Sequence, residues 1–157
     1  MLLIAIAVVL LLIVLNGLFA MTELAVVSSR KSKLQSRAER GDRGARAALK
    51  LAEEPTQFLS AVQVGITLIG ILAGAYGQAA IAGELDDILT ANLPALAPYS
   101  QIIATGVVVV LITYVSLIVG ELVPKRLALI FPETIASKMA GPISTLALVM
   151  KPFVLLL

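Results

Sequence analysis

The sequence predicts an all-α integral membrane domain, with three transmembrane helices in each subunit and additional juxtamembrane helices on the cytoplasmic side. Of its 157 residues, 59% are hydrophobic and only 14% are charged. A soluble domain averages about 45–50% apolar and about 25% charged residues. The apolar residues also fall into long blocks, and a helix needs about 20 such residues to cross a bilayer. We therefore expect the lipid bilayer to be the main partner of these blocks.

The first block, residues 2–29, is predicted to be a transmembrane helix. It carries no charge before Glu23. A secretory signal peptide is the alternative, and it would need a basic n-region, a shorter apolar run and a small-residue cleavage site. The block has no basic start and no polar mature chain follows a cleavage site, so a true membrane span is favoured.

Residues 30–57 form a polar segment that contains eight of the twelve basic residues. Its Ala, Leu, Lys, Arg and Glu residues favour one or two surface helices lying against the membrane. No aromatic residue is interleaved with the basic ones, so we expect no nucleic-acid partner. The charge is typical of a loop that sets membrane topology.

Two further spans are predicted at residues 58–82 and 100–123, joined by a loop at 83–99 that has three acidic residues and no basic one. The last segment, 132–157, is apolar but interrupted by Lys138, Gly141–Pro142 and Lys151–Pro152. We interpret it as a juxtamembrane or re-entrant helix rather than a fourth span. It ends in "FVLLL", so we expect soluble domains to be missing after it.

The distribution of basic residues predicts how the domain is oriented. Loops rich in Lys and Arg stay on the cytoplasmic side of a membrane. The segment 30–57 is therefore placed in the cytoplasm, the loop 83–99 outside and the N-terminus outside. We expect a multi-pass protein of the cell inner (plasma) membrane.

The sequence has no Cys and no His, which excludes thiolate sites, zinc sites of the usual kind and nucleophilic catalysis by Cys–His or Ser–His pairs. Any bound metal must be held by oxygen, which favours hard cations such as Mg²⁺ or Ca²⁺. Nothing in the sequence indicates an enzyme.

Polar and small residues recur at helical spacing inside the predicted spans. Close helix packing explains such faces in many membrane proteins, but an intramembrane carboxylate without a basic partner indicates a cation or proton. The faces contain Asn16, Ala20 and Glu23 in the first span, Gln63, Thr67, Gly70 and Gly74 in the second, and Ser116 and Gly120 in the third.

The stretch Gly120-Glu-Leu-Val-Pro124 places a carboxylate, Glu121, beside a helix breaker. Proline lacks an N–H and clashes with the carbonyl four residues earlier, which is that of Gly120. We expect a distorted helix with a free carbonyl beside a carboxylate, and unwound carbonyls of this kind coordinate cations in transporters. The alternative is a proline that only ends the helix.

Two stretches resemble the transmembrane domain of the CorC and cyclin M (CNNM) magnesium transporters. They are "LNGLFAMTELAVVSSRKSKL" at 15–34 and "IVGELVPK" at 118–125, and "QVGITLIGILAGAYG" at 63–77 fits the second helix of that family. The resemblance covers essentially the whole chain, residues 1–157.

The resemblance implies a homodimer that binds Mg²⁺ between its helices, with Na⁺-linked Mg²⁺ efflux as the activity. It implies ATP binding only through cytoplasmic CBS domains that are absent from this sequence. By motif, the metal ligands would be Asn16, Ala20, Glu23, Gly120 and Glu121, with Ala20 able to offer only a backbone oxygen.

We therefore expect a dehydrated Mg²⁺ on the polar inner face. Gln63, Thr67, Gly70, Gly74 and Ser116 would line or support the path, and Pro124 would keep the Gly120 carbonyl free. Lys125 and Arg126 would anchor the helix end at anionic headgroups. Two alternatives stay open, namely a Mg²⁺-sensing membrane anchor without transport activity and a poorly selective pore.

Overall fold

The computed structural model describes the backbone of residues 2–154 and the side chains of residues 2–145. Within these residues the chain is helical and contains no strand. The α-helices are α1 Leu2–Ser28, α2 Lys31–Glu39, α3 Arg43–Glu53, α4 Pro55–Gly77, α5 Gly83–Asn92, α6 Ser100–Leu117, α7 Val123–Ile130 and α8 Pro132–Val154. A first π-helix is Gln78–Ala82, a second π-helix is Ile118–Leu122, and Pro94–Tyr99 is a 3₁₀-helix.

Three helical runs of the described chain are long and apolar enough to cross a membrane. They are Leu2–Ser28, Pro55–Asn92 and Pro94–Ile130, of 27, 38 and 37 residues. Large apolar side chains on α6, such as Val110 and Ile102, are well exposed, as expected of a surface that faces lipid. The predicted all-α membrane fold is thereby confirmed.

The segment 83–99, expected to be a loop, is helical instead. The acidic residues Glu84 and Asp86 lie in the first turn of α5, which continues the helical run of α4 and the first π-helix without a break. The α-helix ends at Asn92, and Leu93 leaves the helical conformation with φ −132° and ψ 71°, since the residue before a proline disfavours it. Charge alone therefore indicated a loop where local propensity supports a helix.

The third run also extends further than the predicted 100–123. Pro124 lies within this run, at the junction of the second π-helix and α7, and the bond from the Val123 N–H to the Ile118 carbonyl keeps the backbone helical there. The helix therefore continues through Ile130 rather than ending at the proline.

Helices α2, α3 and α8 pack against one another. Asp42 caps α3 by accepting a hydrogen bond from the Ala45 N–H at 2.9 Å, after a turn in which Gly41 adopts a φ of 95°. A Cβ on Gly44 would collide with the backbone carbonyl of Ser137 in α8. This close approach places α8 across α3; the last residues of the predicted 132–157 segment, 155–157, lie outside the described part of the chain.

An ion pair fastens the start of α8 to the start of α2. The Glu133 Oε1 atom lies 3.5 Å from the Arg30 backbone N and 3.5 Å from the Lys33 Nζ. Partial burial acts to raise the pKa of Glu133, but backbone N–H groups and the Lys33 ammonium outweigh it, so the pKa is lowered. The carboxylate thus favours its charged form at this junction.

Candidate cation site

The candidate site lies where α1 meets the second π-helix. The side-chain amide of Asn16 donates a hydrogen bond from Nδ2 to the backbone carbonyl of Gly120, with 3.3 Å between the two atoms. Gly120 is buried and Asn16 is half-buried. Two of the residues that the sequence singled out, from distant parts of the chain, are therefore in direct contact.

The backbone around Gly120 is distorted, as the proline spacing predicts. Pro124 has no N–H to donate to the Gly120 carbonyl, while the Val123 N–H reaches back five residues to the Ile118 carbonyl. Such a five-residue bond is the mark of a π-helix, and short π-helices occur frequently at functional sites. The Asn16 amide supplies the Gly120 carbonyl with the donor that Pro124 cannot.

The other end of the same amide is the most unusual polar group of the site. The Asn16 Oδ1 atom is buried and has no hydrogen-bond partner among the described residues. A buried acceptor left unpaired costs about 1–3 kcal/mol. Turning the amide over would set its oxygen against the Gly120 oxygen, so the observed orientation is the favourable one. The result is an unpaired amide oxygen on the same side chain that donates to the Gly120 carbonyl.

Glu121 directly follows Gly120 in the chain, and a second carboxylate, Glu23, and the ammonium group of Lys125 interact with it. The Lys125 Nζ contacts the Glu121 Oε1 at 2.5 Å, and Glu23 on α1 interacts electrostatically with both Lys125 and Glu121. The expectation that Glu121 lacks a basic partner was wrong, because Lys125 lies one helical turn away on the same face. Lys125 points toward the carboxylates rather than serving only as a headgroup anchor, whereas Arg126 is exposed.

Gly17, which the sequence analysis did not single out, sets how closely the two elements approach. A Cβ at Gly17 would lie 2.8 Å from the Val119 carbonyl oxygen and 2.9 Å from the Pro124 ring. Neither a backbone oxygen nor a proline ring can move away easily. The available signal was a glycine next to a polar residue within an apolar span, which is typical of a close helix contact.

Ala20, the remaining candidate on α1, is only 2% exposed and contributes a methyl group to the packing. Ser116, on α6, is half-buried. Neither residue has a polar side-chain contact that joins it to the Asn16–Gly120 pair in the described structure.

The second-span candidates lie elsewhere in a single chain. Gln63, Thr67, Gly70 and Gly74 are all exposed on one face of α4. The Thr67 hydroxyl donates to the Gln63 carbonyl of its own helix at 2.9 Å, and a Cβ on Gly70 or Gly74 would meet nothing within 4 Å. A neighbouring face of α4 packs against α1, where Gly65 lies against the Phe19 ring. The structure therefore does not bring these four residues to Asn16.

The donor set is suited to a hard cation. The described residues contain no group of three His, Cys, Asp or Glu side chains that could hold a metal. A cation here would instead take the Asn16 amide oxygen, the Gly120 carbonyl and the carboxylates of Glu23 and Glu121. Mixed carbonyl, amide and carboxylate oxygens are the ligands of Mg²⁺ and Ca²⁺.

Comparison with known proteins points to the same family as the sequence motifs. The sequence profile of the cyclin M transmembrane N-terminal domain matches residues 6–157. The chain is 52% identical over 146 residues to UPF0053 protein sll0260 of Synechocystis sp., covering 93% of this chain and 32% of that protein. It is 33% identical over 145 residues to the polyamine export protein of Haemophilus influenzae, covering 91% and 33%.

A third relative, UPF0053 protein YrkA of Bacillus subtilis, is 33% identical over 144 residues, which cover 92% of this chain and 33% of the relative. The chain thus spans about a third of the length of each of these relatives.

Proposed function

Because the chain belongs to the cyclin M transmembrane domain family, we propose that it moves a cation across the membrane through the site between α1 and the second π-helix. Mg²⁺ is the proposed cargo and a Na⁺ gradient the proposed driving force for its efflux. The membrane would be the cell inner membrane, with the N-terminus outside and the basic α2–α3 segment in the cytoplasm, as the positive-inside rule favours.

The observation that carries the proposal is the buried Asn16 Oδ1 atom without a partner. It lies on the same side chain that binds the Gly120 carbonyl, so two uncharged oxygens are held together at membrane depth. A bound cation would satisfy both oxygens at once, because a carbonyl oxygen has two lone pairs. Glu121 and Glu23 would supply the negative charge that neutralises the ion.

The packing of the helices supports the same reading. Gly17 lets the second π-helix touch α1, so the amide and the carbonyl are positioned by backbone contacts. Mg²⁺ demands near-ideal octahedral geometry at about 2.0–2.1 Å and gives up its water reluctantly. A site built on rigid contacts is better suited to that demand than one on a loop.

A second cargo is favoured by a specific observation. The relative from Haemophilus influenzae carries the name polyamine export protein, and so does one from Salmonella typhimurium that is 30% identical over 143 residues. In this chain Glu121 already binds a primary ammonium group, that of Lys125. A polyamine presents the same group, so an organic polycation is the alternative to Mg²⁺.

We also propose that the chain works as a homodimer. The exposed small and polar face of α4, formed by Gln63, Thr67, Gly70 and Gly74, is typical of faces on which membrane helices associate. On that interpretation these residues support the path by holding two subunits together. The ATP-binding CBS domains expected of the family would act from outside this segment.

The test is flux in proteoliposomes that contain only this chain. A trapped fluorescent indicator reports Mg²⁺ movement, with and without a Na⁺ gradient, for the wild type, Glu121→Ala and the control Glu53→Gln. Glu53 is an exposed carboxylate at the end of α3. We expect Na⁺-dependent flux in the wild type and the control, and a loss of at least tenfold, about 1.4 kcal/mol, in Glu121→Ala.

Other outcomes separate the alternatives. Spermidine uptake that competes with Mg²⁺ and also requires Glu121 would favour the polyamine cargo. Mg²⁺ binding without any flux would favour a sensor. Equal flux in Glu121→Ala and the wild type would contradict the proposed site.

A further inference from the structure

We propose that the ammonium group of Lys125 is a tethered cation, which occupies the Glu121 carboxylate of the site when no mobile cation is bound and which the cargo must displace. The inference rests on the proposed cation site and adds to it a residue that sets the affinity of that site and the release of its cargo.

Geometry places Lys125 at the charged side of the site. Its Nζ atom contacts the Glu121 Oε1 atom at 2.5 Å, and the two side chains are 40% and 47% exposed. The same ammonium attracts the Glu23 carboxylate on α1, which Glu121 repels. One ammonium therefore offsets two carboxylates that come from different spans.

Charge balance then gives Lys125 a part in binding. Two carboxylates at the edge of the hydrocarbon region repel each other, and an uncompensated charge there is costly. Lys125 removes that repulsion in the cation-free protein. When a divalent cation arrives, the cation and the ammonium compete for the same oxygens, so Lys125 weakens the binding of the cargo and hastens its release.

The local structure gives the lysine freedom to leave. Pro124 is buried against Gly17 and fixes the backbone just before Lys125, while the Lys125 side chain is partly exposed. Lysine is a flexible point charge rather than a planar fork. Its ammonium can therefore move away from Glu121 while the helix stays in place.

The obvious alternative is that Lys125 only anchors the helix end at lipid headgroups. Arg126 is the neighbouring residue and is exposed, and the described structure shows the Glu121 carboxylate in contact with Lys125. Arg126 is therefore the matched control, because it has the same charge at nearly the same depth.

The experiment measures Mg²⁺ binding by calorimetry in lipid nanodiscs for the wild type, Lys125→Met, Lys125→Arg and Arg126→Met. We expect Lys125→Met to bind Mg²⁺ about tenfold more tightly, within the usual range of coupling between two sites. Lys125→Arg should keep an affinity close to that of the wild type because it keeps the charge. Arg126→Met should leave the affinity unchanged.

Flux provides a second readout that a purely structural role would not reproduce. Lys125→Met should reach half-maximal Mg²⁺ flux at a lower concentration and show a lower maximal flux, because a tighter site releases its cargo more slowly. Lys125→Gln, a polar neutral variant, repeats both measurements should the methionine variant unfold.

The outcomes distinguish this inference from the proposed function. Binding by the wild type that does not tighten in either neutral variant would overturn the tethered cation and leave the site standing. Equal tightening in Arg126→Met would overturn it too, because the cause would be general surface charge. Absence of Mg²⁺ binding in the wild type and both neutral variants would overturn the site itself.

Discussion

The two π-helices of the described chain occupy similar positions but differ in the polar groups that face them. Each interrupts a long membrane-crossing helix and packs against a neighbouring one. At the first π-helix, Gln78 donates from Nε2 to the Thr105 hydroxyl at 2.9 Å, so its amide is engaged. At the second, Asn16 binds the Gly120 carbonyl and keeps a buried oxygen without a partner in the described structure.

The residues around the two π-helices also differ in polarity. Ile81 of the first π-helix lines an open groove of about 260 Å³ whose other walls, on α1 and α6, are entirely apolar. Such a groove offers no oxygen ligand to a hard cation. The second π-helix contains Glu121 and is followed by Lys125. A π-helix alone therefore does not make a cation site. Whether it can bind a cation depends on the polar groups that face it.

The comparison also limits what the proline explains. Residues 78–92 contain no proline, yet the first π-helix forms. A proline is thus one cause of a π-helix in this fold and not the only one. The specific effect of Pro124 is to deny the Gly120 carbonyl a backbone donor four residues on, which leaves that oxygen to Asn16 and, as proposed, to a cation.

Gly17→Ala should have the largest effect, because it separates α1 from the second π-helix. The added methyl meets a carbonyl oxygen and a proline ring at less than 3 Å, and overpacking of this kind costs about 1–3 kcal/mol. Thermal unfolding in detergent, followed by circular dichroism, measures the loss.

The matched control is Gly106→Ala within α6, where a Cβ meets nothing within 4 Å. Alanine at a helix interior is favoured over glycine by about 0.5–1 kcal/mol, so this variant should be as stable as the wild type or more so. Equal destabilisation by the two substitutions would show that the close contact at Gly17 is not what holds the site.

A smaller effect is expected from Pro124→Ala, which tests the role assigned to the proline. Alanine restores an N–H that can bond to the Gly120 carbonyl and compete with Asn16 and a cation. One hydrogen bond is worth about 1 kcal/mol, so Mg²⁺ affinity should fall about fivefold while the helix content is kept. Calorimetry and circular dichroism on the same sample measure both; an unchanged affinity would show that the missing N–H is irrelevant to binding.

The sequence predicted the fold well because membrane spans depend on long apolar runs, which are read directly from composition. It also predicted the distortion at Gly120, since the rule for proline is local. It did not predict the first π-helix, which has no proline near it, or the helical structure of 83–99, where charge suggested a loop.

The candidate site was predicted only in part, because the features that were missed depend on tertiary contacts. Asn16 and Gly120 were identified separately, but only packing shows that they touch. Gly17 was missed because its importance lies in the Val119 carbonyl and the Pro124 ring opposite it. Lys125 was expected to bind lipid headgroups, because the sequence does not show which rotamer a lysine side chain adopts.

The most direct test of the account compares the two amides, by calorimetric titration of Mg²⁺ into Asn16→Ala and Gln78→Ala in lipid nanodiscs. Each variant removes a side-chain amide that donates a hydrogen bond at one of the π-helices. We predict that Asn16→Ala lowers the affinity about 10–100-fold, the range seen when a group that positions or binds a metal is lost, and that Gln78→Ala binds like the wild type. Equal affinities in the two variants, or a greater loss in Gln78→Ala, would contradict the claim that the oxygens between α1 and the second π-helix bind the cation.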